Sequence, residues 1–250
     1  MLVPIGSVEL PASQLSVFLK VCETYVGKPS RRDETTSLDS ILIYTDSGTY
    51  GADVGKATIL VGLSSDGVSA SYFSRTCSGS LNEPILIEQS RLKTIYPWLG
   101  FVAAEGKREG GEDPVVHWSV SNGGASTMRA SATTAESLKV HVSTAEDYPE
   151  REVQAILRAG GQGDAEVLDS NNRPLPVGAM FSFGTPSTKV AAVKKILGGR
   201  MDYYPPAHPA GMWVAEDKSN GWRGAFPADQ YGADDDVDTP EVELLLRELG

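Results

Sequence analysis

The chain has 250 residues, of which 40% are hydrophobic and 22% charged, and this composition is typical of a globular protein long enough to bury a core. Its N-terminus has no basic segment followed by a long apolar run, and no stretch approaches the roughly 20 apolar residues that span a bilayer. Neither a signal peptide nor a membrane segment is therefore expected. Cys22 and Cys77 are predicted to be free thiols, which suits a cytoplasmic protein.

The formal net charge of −11 is concentrated in one appendage. Residues 229–250 hold eight acids and one base, for a charge of −7, whereas the other 228 residues hold 25 acids and 21 bases, for a charge of −4. A nearly balanced body can still carry a basic face, so the net charge does not exclude a nucleic-acid partner.

A first strand–helix–strands unit is predicted at the N-terminus. Residues 14–26 place apolar side chains at helical spacing, and Gly27 and Pro29 end the helix. Turns are expected at residues 46–48 and at Asp66-Gly67. The accompanying strands are predicted at residues 8–10, 41–44, 57–63 and 68–74.

A second unit repeats the same order. A strand at residues 84–88 precedes a short helix at residues 89–99. Residues 105–113 are charged and rich in glycine, and they are predicted to be a solvated loop. Three further strands are expected at residues 115–120, 125–131 and 137–142.

The remainder of the chain contains part of a third unit. Residues 150–178 are irregular, with a short helix at residues 152–159, and they are interpreted as a linker or a degenerate unit. Thr185 and Pro186 open a helix that runs to residue 197. Strands are predicted at residues 180–183, 201–204, 212–216 and 222–226, the last two joined by the hairpin signal Asn220-Gly221.

The acidic C-terminal tail ends in a short apolar stripe that includes Leu245 and Leu249. Two interpretations stay open: a partner-binding helix on an acidic tether, or a helix folded back on the body.

No motif in the sequence indicates catalysis. The histidines His117, His141 and His208 are far apart and form no metal-binding pattern. The glycine-rich residues 160–163 lack the Lys-Ser/Thr pair of a phosphate-binding loop, and no serine lies in a nucleophile elbow. The protein is therefore not expected to be an enzyme, and no cofactor or metal is expected.

The tandem strand–helix–strands unit resembles the DNA sliding clamps of replication, of the DNA polymerase III beta subunit and phage type. The segment TAEDYP at residues 144–149 is similar to the acidic-aromatic-proline segment that follows the first clamp domain. The stretch Ala225-Phe226-Pro227-Ala228 resembles the apolar-proline-apolar end of bacterial and phage clamps. Three units are found, whereas a two-domain clamp has four.

This resemblance implies an α+β fold in which antiparallel sheets carry helices on one side. The implied organisation is a clamp-like domain at residues 1–149, a linker or degenerate unit at residues 150–178, half of a second domain at residues 179–230, and an acidic tail at residues 231–250.

The resemblance also implies a function. A clamp holds duplex DNA by encircling it, so its helices need only weak, sequence-independent contacts with phosphates. The chain is then a non-enzymatic factor that binds duplex DNA and tethers a DNA polymerase, and it would form a homo-oligomer to close a ring. The candidate DNA-contacting residues are Arg91, Lys93, Lys189, Lys194 and Lys195, and the candidate partner-binding residues are Trp222, Phe226, Pro227, Leu245 and Leu249.

Simpler interpretations stand beside these assignments. The lysines of the third helix would also suit a solvated helix face, and Trp222 and Phe226 would also suit the core of an edge hairpin. A second hypothesis is a clamp-derived regulator that binds another DNA-acting protein, such as a phage recombination directionality factor acting on a large serine integrase. A third is a small-molecule-binding or enzymatic α+β protein. The clamp hypothesis is preferred because of the family's known role.

Overall fold

The structure, a computed structural model, describes residues 4–27, 37–49, 56–131, 134–159, 188–204 and 212–227. The first unit consists of β1 (Pro4–Pro11), α1 (Ala12–Glu23), β2 (Ser40–Thr49), β3 (Lys56–Ser65), β4 (Ala70–Thr76) and β5 (Ser78–Leu81). The second consists of β6 (Ile85–Glu88), α2 (Gln89–Glu109), β7 (Val115–Ser121), β8 (Ala125–Ala130), β9 (Leu138–His141) and β10 (Ser143–Thr144). The remaining elements are α3 (Glu150–Ala159), α4 (Thr188–Leu197), β11 (Asp202–Tyr204), β12 (Met212–Asp217) and β13 (Trp222–Pro227).

The first two units exchange their first strands. One sheet has the order β5-β1-β7-β8-β9, and the other contains the matching order β10-β6-β2-β3-β4. Thus β1 pairs with the strand that follows α2, and β6 pairs with the strand that follows α1. All neighbouring strands in these two sets are antiparallel. The predicted repeat is confirmed, and the two units interlock into one body.

Part of the third unit extends the second sheet. Strand β13 pairs with β4, and the sheet continues through β12 to β11, which makes eight strands. The Trp222 Nε1 donates a hydrogen bond to Ser71 Oγ at 2.9 Å across this junction. One sheet therefore contains strands from two of the predicted domains. The domain boundaries themselves remain predictions.

One core lies between the sheets and three of the helices. Helix α1 packs against both α2 and α4, and its side chains Leu15, Phe18 and Leu19 are fully buried. Phe18 stacks on Phe73 of β4 with ring centroids 5.8 Å apart. The α+β fold with antiparallel sheets and a helix layer is thus as expected.

Helix α3 lies on the opposite face of the eight-stranded sheet. Its Val153 and Leu157 pack against Leu42 and other apolar residues that point away from α1. The guanidinium of Arg223 donates to the carbonyl oxygen of Leu157 at 3.0 and 3.2 Å, which satisfies an acceptor at the C-terminal end of α3. Because consecutive residues of β2 are buried, both faces of this sheet need a cover, and α3 supplies the second one.

Two local predictions are wrong. Helix α2 runs to Glu109, through half of the segment predicted to be a solvated loop. A Cβ at Gly106 would overlap Pro114, so this helical glycine allows a close approach of two segments and does not end the helix. The turn predicted at residues 46–48 lies inside β2, because residues 46–49 continue to pair with β3.

Several predictions lie outside the described residues: the linker at residues 160–178, the strand at residues 180–183, the start of the third helix, and the acidic tail with Leu245 and Leu249. Cys22 and Cys77 form no disulfide, as expected. No helix in the described ranges is both long and apolar enough to cross a membrane.

Candidate nucleic-acid interface

Helix α2 presents a long basic face to solvent. Leu92, Ile95, Leu99 and Val102 are buried at helical spacing, so the opposite side is exposed over the whole helix. This exposed side carries four basic residues: Arg91, Lys93, Lys107 and Arg108. Arg91 and Lys93 were predicted from the sequence, whereas Lys107 and Arg108 lie beyond residue 99, where the predicted helix ended. The apolar spacing that continues from Leu99 to Val102 was the signal for the longer helix.

The described acidic side chains next to this face are hydrogen-bonded or ion-paired. Glu105 is only half exposed and accepts hydrogen bonds from the backbone and the hydroxyl of Thr134. Arg91 Nε lies 3.6 Å from Glu88 Oε2. Both side chains are largely solvated, so this ion pair is weak. Among the side chains described between Ser90 and Arg108, no acid is exposed.

Helix α4 adds two exposed cations and one paired cation. Lys194 and Lys195 are exposed at the end of the helix. Lys189 instead forms an ion pair with Asp66 and lies 5.1 Å from the centroid of the Tyr25 ring. A contact of Lys189 with DNA stays a prediction, but its ammonium already connects the third unit to the turn between β3 and β4.

The environment of Asp66 favours the charged form of its carboxyl group. Burial by itself would raise the pKa of Asp66, but hydrogen bonds from Lys189 and from the backbone of Val68 and Ser69 outweigh burial and hold the pKa below its ordinary value. The ion pair is therefore present at neutral pH.

Helix α1 lies between α2 and α4 and contributes Lys20, whose ammonium is 5.8 Å from the ring centroid of Tyr96. Glu23 on the same helix accepts a hydrogen bond of 2.7 Å from the Tyr96 hydroxyl. Burial and the Glu23 carboxylate raise the pKa of Tyr96, so the hydroxyl stays protonated and donates. We call the exposed cations of these three helices the basic helix face: Lys20, Arg91, Lys93, Lys107, Arg108, Lys194 and Lys195.

The predicted partner-binding residues of β13 lie largely in the core. Trp222 is 2% exposed and Phe226 is 5% exposed, and both pack in the cluster that contains α1. Pro227, at the end of the strand, is half-buried. Trp222 and Phe226 thus lie on the same side of β13 as core residues of a hairpin, which is the simpler interpretation of the sequence. A role of the three residues in partner binding stays a prediction.

No family model matches the chain, and no curated protein matches it. Solved structures do match. The beta sliding clamp of Caulobacter crescentus superposes with a TM-score of 0.52 at 10% identity, and a structure described as Caulobacter crescentus pol III beta with 0.57 at 9% identity. Each covers 88% of this chain, which spans 65% of their length. The DNA polymerase III beta subunit of Thermotoga maritima has a TM-score of 0.55 at 9% identity, covering 96% of this chain and 67% of its own. The chain therefore has the sliding-clamp fold.

Proposed function

We propose that the protein is a non-enzymatic, clamp-like factor that holds duplex DNA against the basic helix face and tethers a DNA polymerase. The observation that carries this proposal is electrostatic. Seven exposed cations lie on three adjacent helices, in a chain with a net charge of −11. The described acids of those helices, Glu23 and Glu105, are half-buried and hydrogen-bonded. Such a separation of charge favours a polyanion on this one face.

The basic helix face suits DNA binding without sequence preference. Lysine and arginine side chains on a helix surface reach phosphates, which are the same in every sequence. Each neutralised phosphate releases counterions, so the slope of log affinity against log salt is about −0.9 per contact on duplex DNA. Several such contacts give strong binding at low salt and weak binding at high salt, which permits sliding.

The partner assignment rests on the fold neighbours, which are described as sliding clamps and DNA polymerase III beta subunits. A ring would need more than one copy, because the described part of the chain contains two complete units and part of a third. The proposal therefore includes a homo-oligomer, and it places the protein in the cytoplasm.

Charge reversal tests the proposal. We expect Lys107→Glu with Arg108→Glu, or Lys194→Glu with Lys195→Glu, to weaken binding to a duplex oligonucleotide at low salt by at least about tenfold, through lost phosphate contacts. Fluorescence anisotropy measures this change. The matched control is Arg129→Glu with Lys139→Glu, which reverses one arginine and one lysine on exposed positions of β8 and β9.

The control is expected to stay within about twofold of the wild type, because the altered charges lie outside the helix layer and beyond direct phosphate reach. Equal losses for the helix and strand variants would show that net charge alone governs binding, and they would overturn the assignment of the basic helix face.

A second candidate is a clamp-derived regulator that binds a DNA-acting protein, such as a recombinase of the large serine integrase type. The observation that favours it is the pairing of β13 with β4 within one chain, which covers a sheet edge that could otherwise join a further copy. This candidate predicts a monomer or dimer with negligible DNA affinity, and it predicts loss of partner binding when residues 232–250 are removed.

A further inference from the structure

An aromatic ring lies exposed in the middle of the basic helix face. Phe101 on α2 is 54% exposed, and the other exposed large hydrophobic residues among those described are the aliphatic Val68 and Val115. Contact with a ligand would remove this apolar ring from water, and its place at the centre of a charged face points to such a ligand.

The neighbours of Phe101 on the helix leave the ring accessible. Pro97 and Ala104 are exposed and lie one turn before and one turn after Phe101, and the exposed Gly100 directly precedes it. The other two neighbours at one turn are half-buried: Trp98 donates a hydrogen bond to the carbonyl oxygen of Glu136, and Glu105 accepts hydrogen bonds from Thr134. The exposed neighbours are small, and the two larger ones are hydrogen-bonded to residues 134–136, so the Phe101 ring stays accessible. The middle of α2 is therefore a short platform on which Phe101 is the exposed aromatic ring.

Cations flank this platform at both ends. Lys93 precedes Phe101 by eight residues, about 12 Å along the helix, and Arg108 follows it by seven residues, about 10 Å. Because a strand of duplex DNA rises by about 3.4 Å per nucleotide, the distance between the two cations is long enough for several nucleotides. Lys107 lies beside Arg108 and adds a second charge at that end.

We propose that this surface of α2 binds single-stranded DNA, with an unpaired base stacked on Phe101 and the flanking phosphates at Lys93 and at Lys107 and Arg108. In a duplex the faces of the bases are covered by their neighbours, so only an unpaired base offers a face to the ring. A cationic surface with an exposed aromatic side chain is the arrangement that holds single strands without sequence preference.

This site extends the proposed function without resting on ring closure, because all of its residues belong to α2. It gives the protein a preference for DNA with an unpaired segment, such as a junction between duplex and single strand. The basic helix face alone would bind plain duplex without such a preference.

The full-length protein is tested with a fluorescent oligothymidylate by anisotropy at low salt. We expect Phe101→Ala and Phe101→Leu to weaken binding at least about fivefold, since stacking on one base is worth about 1–3 kcal/mol. Phe101→Trp keeps or increases the affinity, and the fluorescence of its indole is quenched on binding. Val115→Ala, which removes another exposed apolar side chain, leaves the affinity unchanged.

Two results would overturn the inference: no measurable binding of the wild type to the oligothymidylate, or wild-type affinity in Phe101→Ala. Full affinity in Phe101→Leu would also overturn it, because an apolar contact with any partner tolerates leucine whereas stacking does not. Duplex binding is measured in parallel. If the protein does not bind duplex but still binds the single strand in a way that depends on Phe101, the clamp proposal fails and this inference stands.

Discussion

At the scale of single residues, the pair formed by Asp66 and Lys189 has the clearest consequence. Their side chains are 27% and 24% exposed, so the ion pair is better shielded from water than the solvated pair of Arg91 and Glu88. It joins α4 to the turn between β3 and β4, where Asp66 also accepts hydrogen bonds from the backbone of Val68 and Ser69. Charged hydrogen bonds of this kind outweigh typical surface ion pairs.

We expect Asp66→Asn to lower the free energy of unfolding by about 1–2 kcal/mol at neutral pH, because the charged hydrogen bond from Lys189 becomes a neutral one. The pKa of Asp66 is lowered in the folded protein, so its contribution is full above the ordinary aspartate pKa of about 3.9 and is lost as the pH falls through the folded value. Denaturant unfolding of both proteins at neutral and at acidic pH measures the difference. A difference that stays constant down to the most acidic pH would contradict the ionic explanation.

Single residues also show what sequence reasoning can and cannot find. The helical pattern with the clamp resemblance gave Arg91, Lys93, Lys189, Lys194 and Lys195 as candidate DNA contacts, and the structure exposes all of them except Lys189, which is half-buried. The pairing of Lys189 with Asp66 was not visible in the sequence, since the two residues are 123 positions apart. A helical pattern indicates which side of a helix is polar, but the charged partner comes from another element.

At the scale of elements, helix α2 differs most from its prediction. Gly106 and Gly110 have low helix propensity and indicated a loop, yet the helix continues to Glu109. Close packing of Gly106 on Pro114, together with hydrogen bonds from Thr134 to Glu105, outweighs the propensity. The extra turns carry Lys107 and Arg108, so the error in the helix end also hid half of the cations on α2.

Two alanine substitutions within α2 separate packing from propensity. We expect Gly106→Ala to destabilise the protein by about 1–3 kcal/mol, because the new Cβ would overlap Pro114 and lie 2.8 Å from the Glu112 carbonyl oxygen. Gly100→Ala has nothing within 4 Å of its Cβ and should stabilise by about 0.5–1 kcal/mol. Thermal or denaturant unfolding measures both effects. Stabilisation by both substitutions would show that α2 does not pack closely on Pro114.

At the scale of the whole molecule, the two sheets have matching strand orders but different edges. Strand β4 pairs with β13, whereas its counterpart β9 has no second neighbour among the described strands. An unpaired edge can accept a strand from another copy through backbone hydrogen bonds. The proposed homo-oligomer therefore has an available edge in β9.

Light scattering coupled to size exclusion tests this assembly. We expect a mass of about 53 or 80 kDa, two or three times that of the 26.6 kDa chain, because encirclement of DNA requires further copies. Charge-reversed variants of the basic helix face should keep the wild-type mass, since an added strand would pair with the backbone of β9 and not with the exposed side chains of α2 and α4. A single 26.6 kDa species at all concentrations would exclude encirclement by self-assembly and would favour the partner-binding regulator.

The sequence by itself determined the local elements and their repeat. Apolar spacing and turn residues identified α1, the start of α2, most strands of both units and the final hairpin. These signals are readable from the sequence because they act over a few neighbouring residues. Only the tertiary structure decided the exchange of β1 and β6, the pairing of β13 with β4, the position of α3 on the second sheet face and the full length of α2. Each of these depends on contacts between segments far apart in the chain, whose free energy no local pattern records.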